Sequence, residues 1–144
     1  MPKYFDTYRV KRELGHQDMM LKLIREANLF KDYSKVLMIS AIVGYINDSS
    51  EQIERNGEPV QLSFFSERDR DIMDLLAYAS TEDQSVLDRE EKYEIFERYA
   101  KGGFPILLER LGVDEETVFD ERTKQETVRR FYALLLQPTG MLRL

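Results

Sequence analysis

The chain contains no cysteine, no tryptophan, a single histidine, four prolines and seven glycines. Without cysteine there is no disulfide, no thiolate nucleophile and no zinc site built on sulfur. His16, as the lone histidine, leaves no HxxxH pair for a metal ion; beside a helix start it reads as a cap or a surface residue. No EF-hand loop occurs, and no serine sits in a GxSxG elbow with a histidine to activate it. The longest apolar run, Val36 to Ile46, is interrupted by Ser40 and Gly44 and is too short to cross a bilayer. The opening segment "MPKYFDTYRVKRELG" has no apolar core of the kind a signal peptide needs, so a cytoplasmic location without a membrane partner is expected. No catalytic residue, no metal and no cofactor is expected either.

What is present suits a packed core. Hydrophobic residues make up 42% of the 144 positions, sixteen residues are Phe or Tyr, and no low-complexity stretch interrupts them, which predicts one domain over 1–144. The net charge of −6 is unevenly spread: residues 1–44 sum to +3, residues 45–121 to −13 and residues 122–144 to +4. The middle of the chain repels nucleic acid, and its plainest interpretation is a solvated acidic face. The ends carry two basic clusters, Arg9, Lys11 and Arg12, then Arg122, Lys124, Arg129 and Arg130. If they meet in space they form one modest patch for DNA phosphates or for a protein partner. Tyr4, Phe5 and Tyr8 nearby would stack on bases or pack on the core.

Apolar spacing predicts an all-α bundle of five to seven helices, with residues 1–15 as an arm and a short extended segment near 59–65. In the arm Tyr8, Val10 and Arg12 alternate with charged residues, which fits an extended segment or a short helix. Met19, Met20, Leu23, Ile24 and Ala27 mark a first helix from His16. Ser34 is expected to cap a central helix, "KVLMISAIVGYIN", whose positions 37, 38, 41, 42 and 45 form one apolar stripe; small Ala41 and Gly44 would admit a close neighbour. After the polar stretch 47–61, Ser66 and Asp69 form a capping box for a helix with Ile72, Met73, Leu75, Leu76 and Ala79 inside. A further helix is expected from near Asp88, with Tyr93, Phe96, Tyr99 and Ala100 in the core. The last helix is expected over 114–137, ending before Pro138.

Gly102-Gly103 reads as a helix stop and corner rather than a phosphate cradle, because it follows a helix and precedes Phe104-Pro105. Asp83, Glu90 and Lys92 form a loose match to metal-dependent nucleases. Those enzymes display such residues along a strand, and here the triplet lies at an acidic helix start.

The blocks "KVLMISAIVGY", "GEPVQLSFF", "DIMDLLAYAS" and "IFERYAKGGFPILLERL", in this order and spacing, resemble the family called dnd system-associated protein 4, over roughly residues 9–112. The matching positions are Leu37, Met38, Ala41 and Gly44, then Gly57, Glu58 and Pro59, then Asp71, Leu75, Leu76 and Ala77, and finally Tyr99, Ala100, Gly102 and Gly103. The resemblance implies a bacterial setting beside DNA phosphorothioation and anti-phage genes. It further implies an accessory role as a binding protein whose partner is another protein of the same defence operon. It transfers no catalytic residue, and the helix after Asp114 is not matched. A small DNA-binding regulator using the basic ends is the alternative, and a metal-dependent nuclease a third.

Overall fold

A computed structural model describes residues 7–136. Tyr4, Phe5 and Pro138, and the arm before Thr7, lie outside the described residues. The chain forms β1 (Arg9–Val10), α1 (Gln17–Arg25), α2 (Tyr33–Ile46), β2 (Val60–Gln61), α3 (Glu67–Thr81), α4 (Glu91–Leu111) and α5 (Glu121–Leu136), with single 3-10 turns at Leu14–His16, Leu62–Phe64 and Gln84–Asp88. Among the described residues, five α-helices with one two-stranded ribbon match the mostly helical expectation. The ribbon is antiparallel, Arg9 opposite Gln61 and Val10 opposite Val60. The arm is therefore extended at Arg9–Val10 and ends in the 3-10 turn at Leu14–His16, and β2 falls within the segment expected near 59–65.

α2 is the central helix, and its longest contact is with α4. It is wrapped more completely than one stripe allows: Val36, Leu37, Met38, Ala41, Val43, Ser34, Ser40 and Gly44 are all buried, while Tyr45 is exposed. A helix apolar all round belongs inside the fold. Its cap is Asp32 rather than Ser34. The Asp32 carboxylate accepts the Lys35 amide at 3.2 Å, and the Ser34 hydroxyl donates to the same carboxylate at 2.5 Å.

The expected corner at Gly102-Gly103 does not exist: α4 runs unbroken through both glycines and through Pro105. The glycines admit a backbone that comes too close for any side chain, α2 itself at Gly103 and the loop just after it at Gly102. A methyl on Gly103 would strike the Ser40 carbonyl oxygen and the Gly44 nitrogen. One on Gly102 would strike the Ser49 carbonyl, and one on Gly44 the Tyr99 carbonyl. Ser49 Oγ also donates to the Gly102 carbonyl at 3.0 Å. Close packing here offsets the roughly 1 kcal/mol that each glycine costs inside a helix. Gly112, at φ 71°, is the left-handed residue that ends α4.

The capping box of α3 forms as expected: the Asp69 amide donates to Ser66 Oγ at 3.1 Å, and the Ser66 amide to Asp69 Oδ2 at 3.0 Å. Lys35 Nζ reaches the same Asp69 oxygen at 2.9 Å and ties α3 to α2. The buried face of α3, however, is Met73, Leu76 and Ala77; Leu75 and Ala79 point away from the core. Two helix starts also move. Residues 84–88 form a 3-10 turn, so α4 starts at Glu91. α5 starts at Glu121 rather than near Asp114, because Asp114 Oδ1 takes the Glu116 amide and the Thr117 hydroxyl at 2.9 and 3.1 Å. Such local bonding competes with the helix. Within α5, Thr127 and Leu134 are buried and Phe131 meets Phe30 edge-on at 5.4 Å.

Candidate interaction surfaces

Of the first basic cluster, Arg9 and Lys11 are exposed and Arg12 is buried. Arg12 lies past the end of β1, two residues on from the buried Val10, and Glu13 beside it is buried as well. Arg12 Nε donates to the Glu58 carbonyl at 2.8 Å, and its guanidinium lies 3.8 Å from the centre of the Tyr33 ring. It is not a surface charge. The arm is fastened to α4 by Glu97, 5% exposed, whose Oε2 accepts the Tyr8 hydroxyl at 2.6 Å and the Lys11 amide at 2.8 Å. Tyr8 packs on the core side, stacked on Tyr93 at 4.6 Å. Burial pushes the Glu97 carboxyl above its ordinary range, and burial together with the neighbouring Glu97 pushes the Tyr8 phenol up as well.

In the second cluster Arg122, Arg129 and Arg130 are exposed and Lys124 is half-buried. Glu126 gathers two of these charges, with Arg129 Nη1 at 2.7 Å and Arg130 Nε at 3.3 Å. The Arg130 guanidinium lies against Gly112. The two clusters do not merge. The arm is anchored at Glu97, and Arg130 sits about 22 Å further along α4 at 1.5 Å per residue.

Asp83 and Lys92 are each engaged with partners outside the triplet. Asp83 Oδ1 accepts the Ser85 amide at 3.0 Å and its hydroxyl at 2.8 Å, bonds that hold its pKa below the usual carboxylate range. Lys92 is buried, donating to the Leu87 carbonyl at 3.0 Å and pairing with Asp74 at 3.0 Å. Among the described residues, no three histidine, aspartate or glutamate side chains are grouped to hold a metal ion. His16 is half-buried and makes no cap bond. Its ring lies 5.0 Å from that of Phe104, and burial lowers its pKa.

Leu75, expected inside from its spacing, is open to solvent. Leu75 is 66% and Tyr78 47% exposed, on adjacent turns of α3. With Leu87 and Gln84 they line a groove of about 370 Å³, whose edge carries Asp71 and Asp74. Beneath it lies a small apolar cluster of Ala77, Val86 and Ile95. Residues 67–91 hold nine acidic and three basic side chains, a net of −6 that equals the charge of the whole chain. The signal in the sequence was an excess: α3 has more large apolar residues than one helix stripe can bury.

The model of the family DNA sulphur modification system-associated protein 4 matches residues 9–128. The chain belongs to this family. Membership links it to a DNA sulphur modification system. The match runs from β1 into α5, further than the blocks up to Gly112. Within it lie Arg9, Lys11, Arg12, Arg122 and Lys124; Arg129 and Arg130 follow it. No curated protein and no solved structure matches the chain. Among the described residues no helix is long and apolar enough to cross a membrane.

Proposed function

We propose that this family member is a non-catalytic accessory protein of a bacterial, DNA phosphorothioation-linked anti-phage system, acting in the cytoplasm by binding another protein of the same operon. The groove at Leu75, Tyr78 and Leu87 carries the proposal. Two large apolar side chains held on one helix face, in a strongly acidic setting, fit a partner segment that pairs apolar residues with lysine or arginine. The same acidic field repels DNA from this face. Family membership supports the setting in a sulphur modification system.

Co-purification from a strain carrying the neighbouring genes tests the proposal. Tagged wild type is expected to retain an operon-encoded protein, and the double variant Leu75→Asp, Tyr78→Ala to lose it while melting at an unchanged temperature. Recovery of no operon-encoded partner would refute the binding role. An equal yield with the variant would refute the groove. Magnesium- or manganese-dependent DNA cleavage abolished by Glu90→Ala would overturn the non-catalytic part.

The alternative of a DNA-binding regulator draws on the exposed Arg122 and Arg129 of α5. It expects a salt-dependent shift of duplex DNA that weakens with Arg129→Ala plus Arg130→Ala, and absence of a shift at low salt removes it.

A further inference from the structure

A second cavity, of about 360 Å³, opens at the start of α2, with Arg12, Asp32, Tyr33, Glu58, Pro59 and Phe64 in its wall. Arg12 is only 3% exposed, and its Nη1 is buried without a hydrogen-bond partner. A charged donor left unpaired in a protein interior is costly, so the position calls for an acceptor. The same wall contains the first turn of α2, where the amides of Tyr33 and Ser34 precede the intrahelical ladder and the positive end of the helix dipole lies. Asp32 caps the Lys35 amide in that turn. Phe64, in the same wall, is 65% exposed, an aromatic ring left uncovered.

We propose that this cavity binds a carboxylate carried on an apolar body, namely the C-terminal residue of a peptide chain. The carboxylate meets the Arg12 guanidinium and the start of α2, and the terminal side chain covers Tyr33, Pro59 and Phe64. A planar, singly charged carboxylate matches the guanidinium edge. A phosphate dianion is disfavoured, because the carboxylates of Asp32 and Glu58 stand in the same wall and repel the second charge. The Lys35 ammonium is already committed to Asp69 at 2.9 Å.

The test is a titration of the full chain with N-acetyl-leucine, a stand-in for a terminal residue, followed by amide NMR shifts. The expected result is weak, saturable binding with shifts at Tyr33, Ser34, Val60 and Phe64. N-acetyl-leucinamide is expected not to bind, and 4-methylpentanoate, an apolar acid without the peptide group, to bind more weakly. Phe64→Ala, at an exposed position that leaves folding intact, is expected to lower affinity about tenfold. Equal binding of the amide, or equal competition by inorganic phosphate, would overturn the carboxylate assignment. Tighter binding of 4-methylpentanoate would overturn the peptide source. Unchanged affinity in Phe64→Ala, or shifts confined to another surface, would overturn the site.

Discussion

Gly103→Ala sets two rules of protein stability against each other. In a helix exposed to solvent, replacing glycine by alanine stabilises by about 1 kcal/mol through helix propensity and a less free unfolded chain. At Gly103 the added methyl would overlap the carbonyl oxygen of Ser40 and the backbone of Gly44, main-chain atoms of the central helix that no rotamer change can clear. Overpacking of this kind costs about 1–3 kcal/mol, and more where the obstacle is rigid. A net loss of about 2–3 kcal/mol is therefore expected, which in a domain of this size lowers Tm by about 6–9 °C. Gly15→Ala is the matched control: nothing lies within 4 Å of its would-be Cβ, so Tm is expected to stay level or rise slightly. Thermal melts followed by circular dichroism at one pH compare the three proteins. A Gly103→Ala variant melting at or above wild type would refute the close-approach account of the glycine pair.

Glu97 and Glu13 should give opposite pH dependences. Burial raises the Glu97 pKa, so the native state holds this proton more tightly than the unfolded chain; its contribution is largest below the ordinary glutamate pKa and is lost as pH rises through the raised value. For Glu13, burial pushes upward but is outweighed by the Glu54 amide, the Lys101 ammonium and the Arg55 amide, so its pKa falls and its contribution is lost as pH drops through the lowered value. Urea unfolding across acidic to neutral pH is expected to show Glu97→Gln removing the first dependence and Glu13→Gln the second. Lys92→Ala strips a partner from the Leu87 carbonyl and the packing of a buried stem; a loss of about 1–3 kcal/mol in denaturant midpoint analysis is expected. Leu75→Ser, at an exposed position, should change stability by less than about 0.5 kcal/mol in the same assay.

Signals local in sequence were legible. The Ser66–Asp69 capping box needs only residues three apart, and α2 announced itself by length and apolar density. Ala41 and Gly44 correctly implied a close neighbour. Gly102-Gly103 was misleading because a missing Cβ serves two ends equally, breaking a helix or admitting another backbone; only the facing Ser40 and Gly44 decide between them. Leu75 was placed inside because periodicity counts apolar residues without knowing how much core is available to cover them. Arg12 was counted as surface charge even though its alternation with Tyr8 and Val10 was visible. A buried guanidinium simply has lower prior odds than one in water. The groove and the cavity both arise from such surplus or misplaced side chains, which explains why spacing alone did not find them.

The polar stretch between α2 and β2 has almost no regular structure, yet its backbone is well bonded from outside. Glu13 accepts the amides of Glu54 and Arg55, the Arg55 carbonyl receives the Leu14 amide, the Arg12 carbonyl receives the Gly57 amide, and Lys101 Nζ donates to the Gln52 carbonyl. Arm and loop thus share their hydrogen bonds and have few of their own. Such segments are expected to open together, so the amides of residues 8–14 and 51–58 should exchange with solvent as a block, which native-state hydrogen exchange checks. A partner that pulled on the arm would release the loop with it.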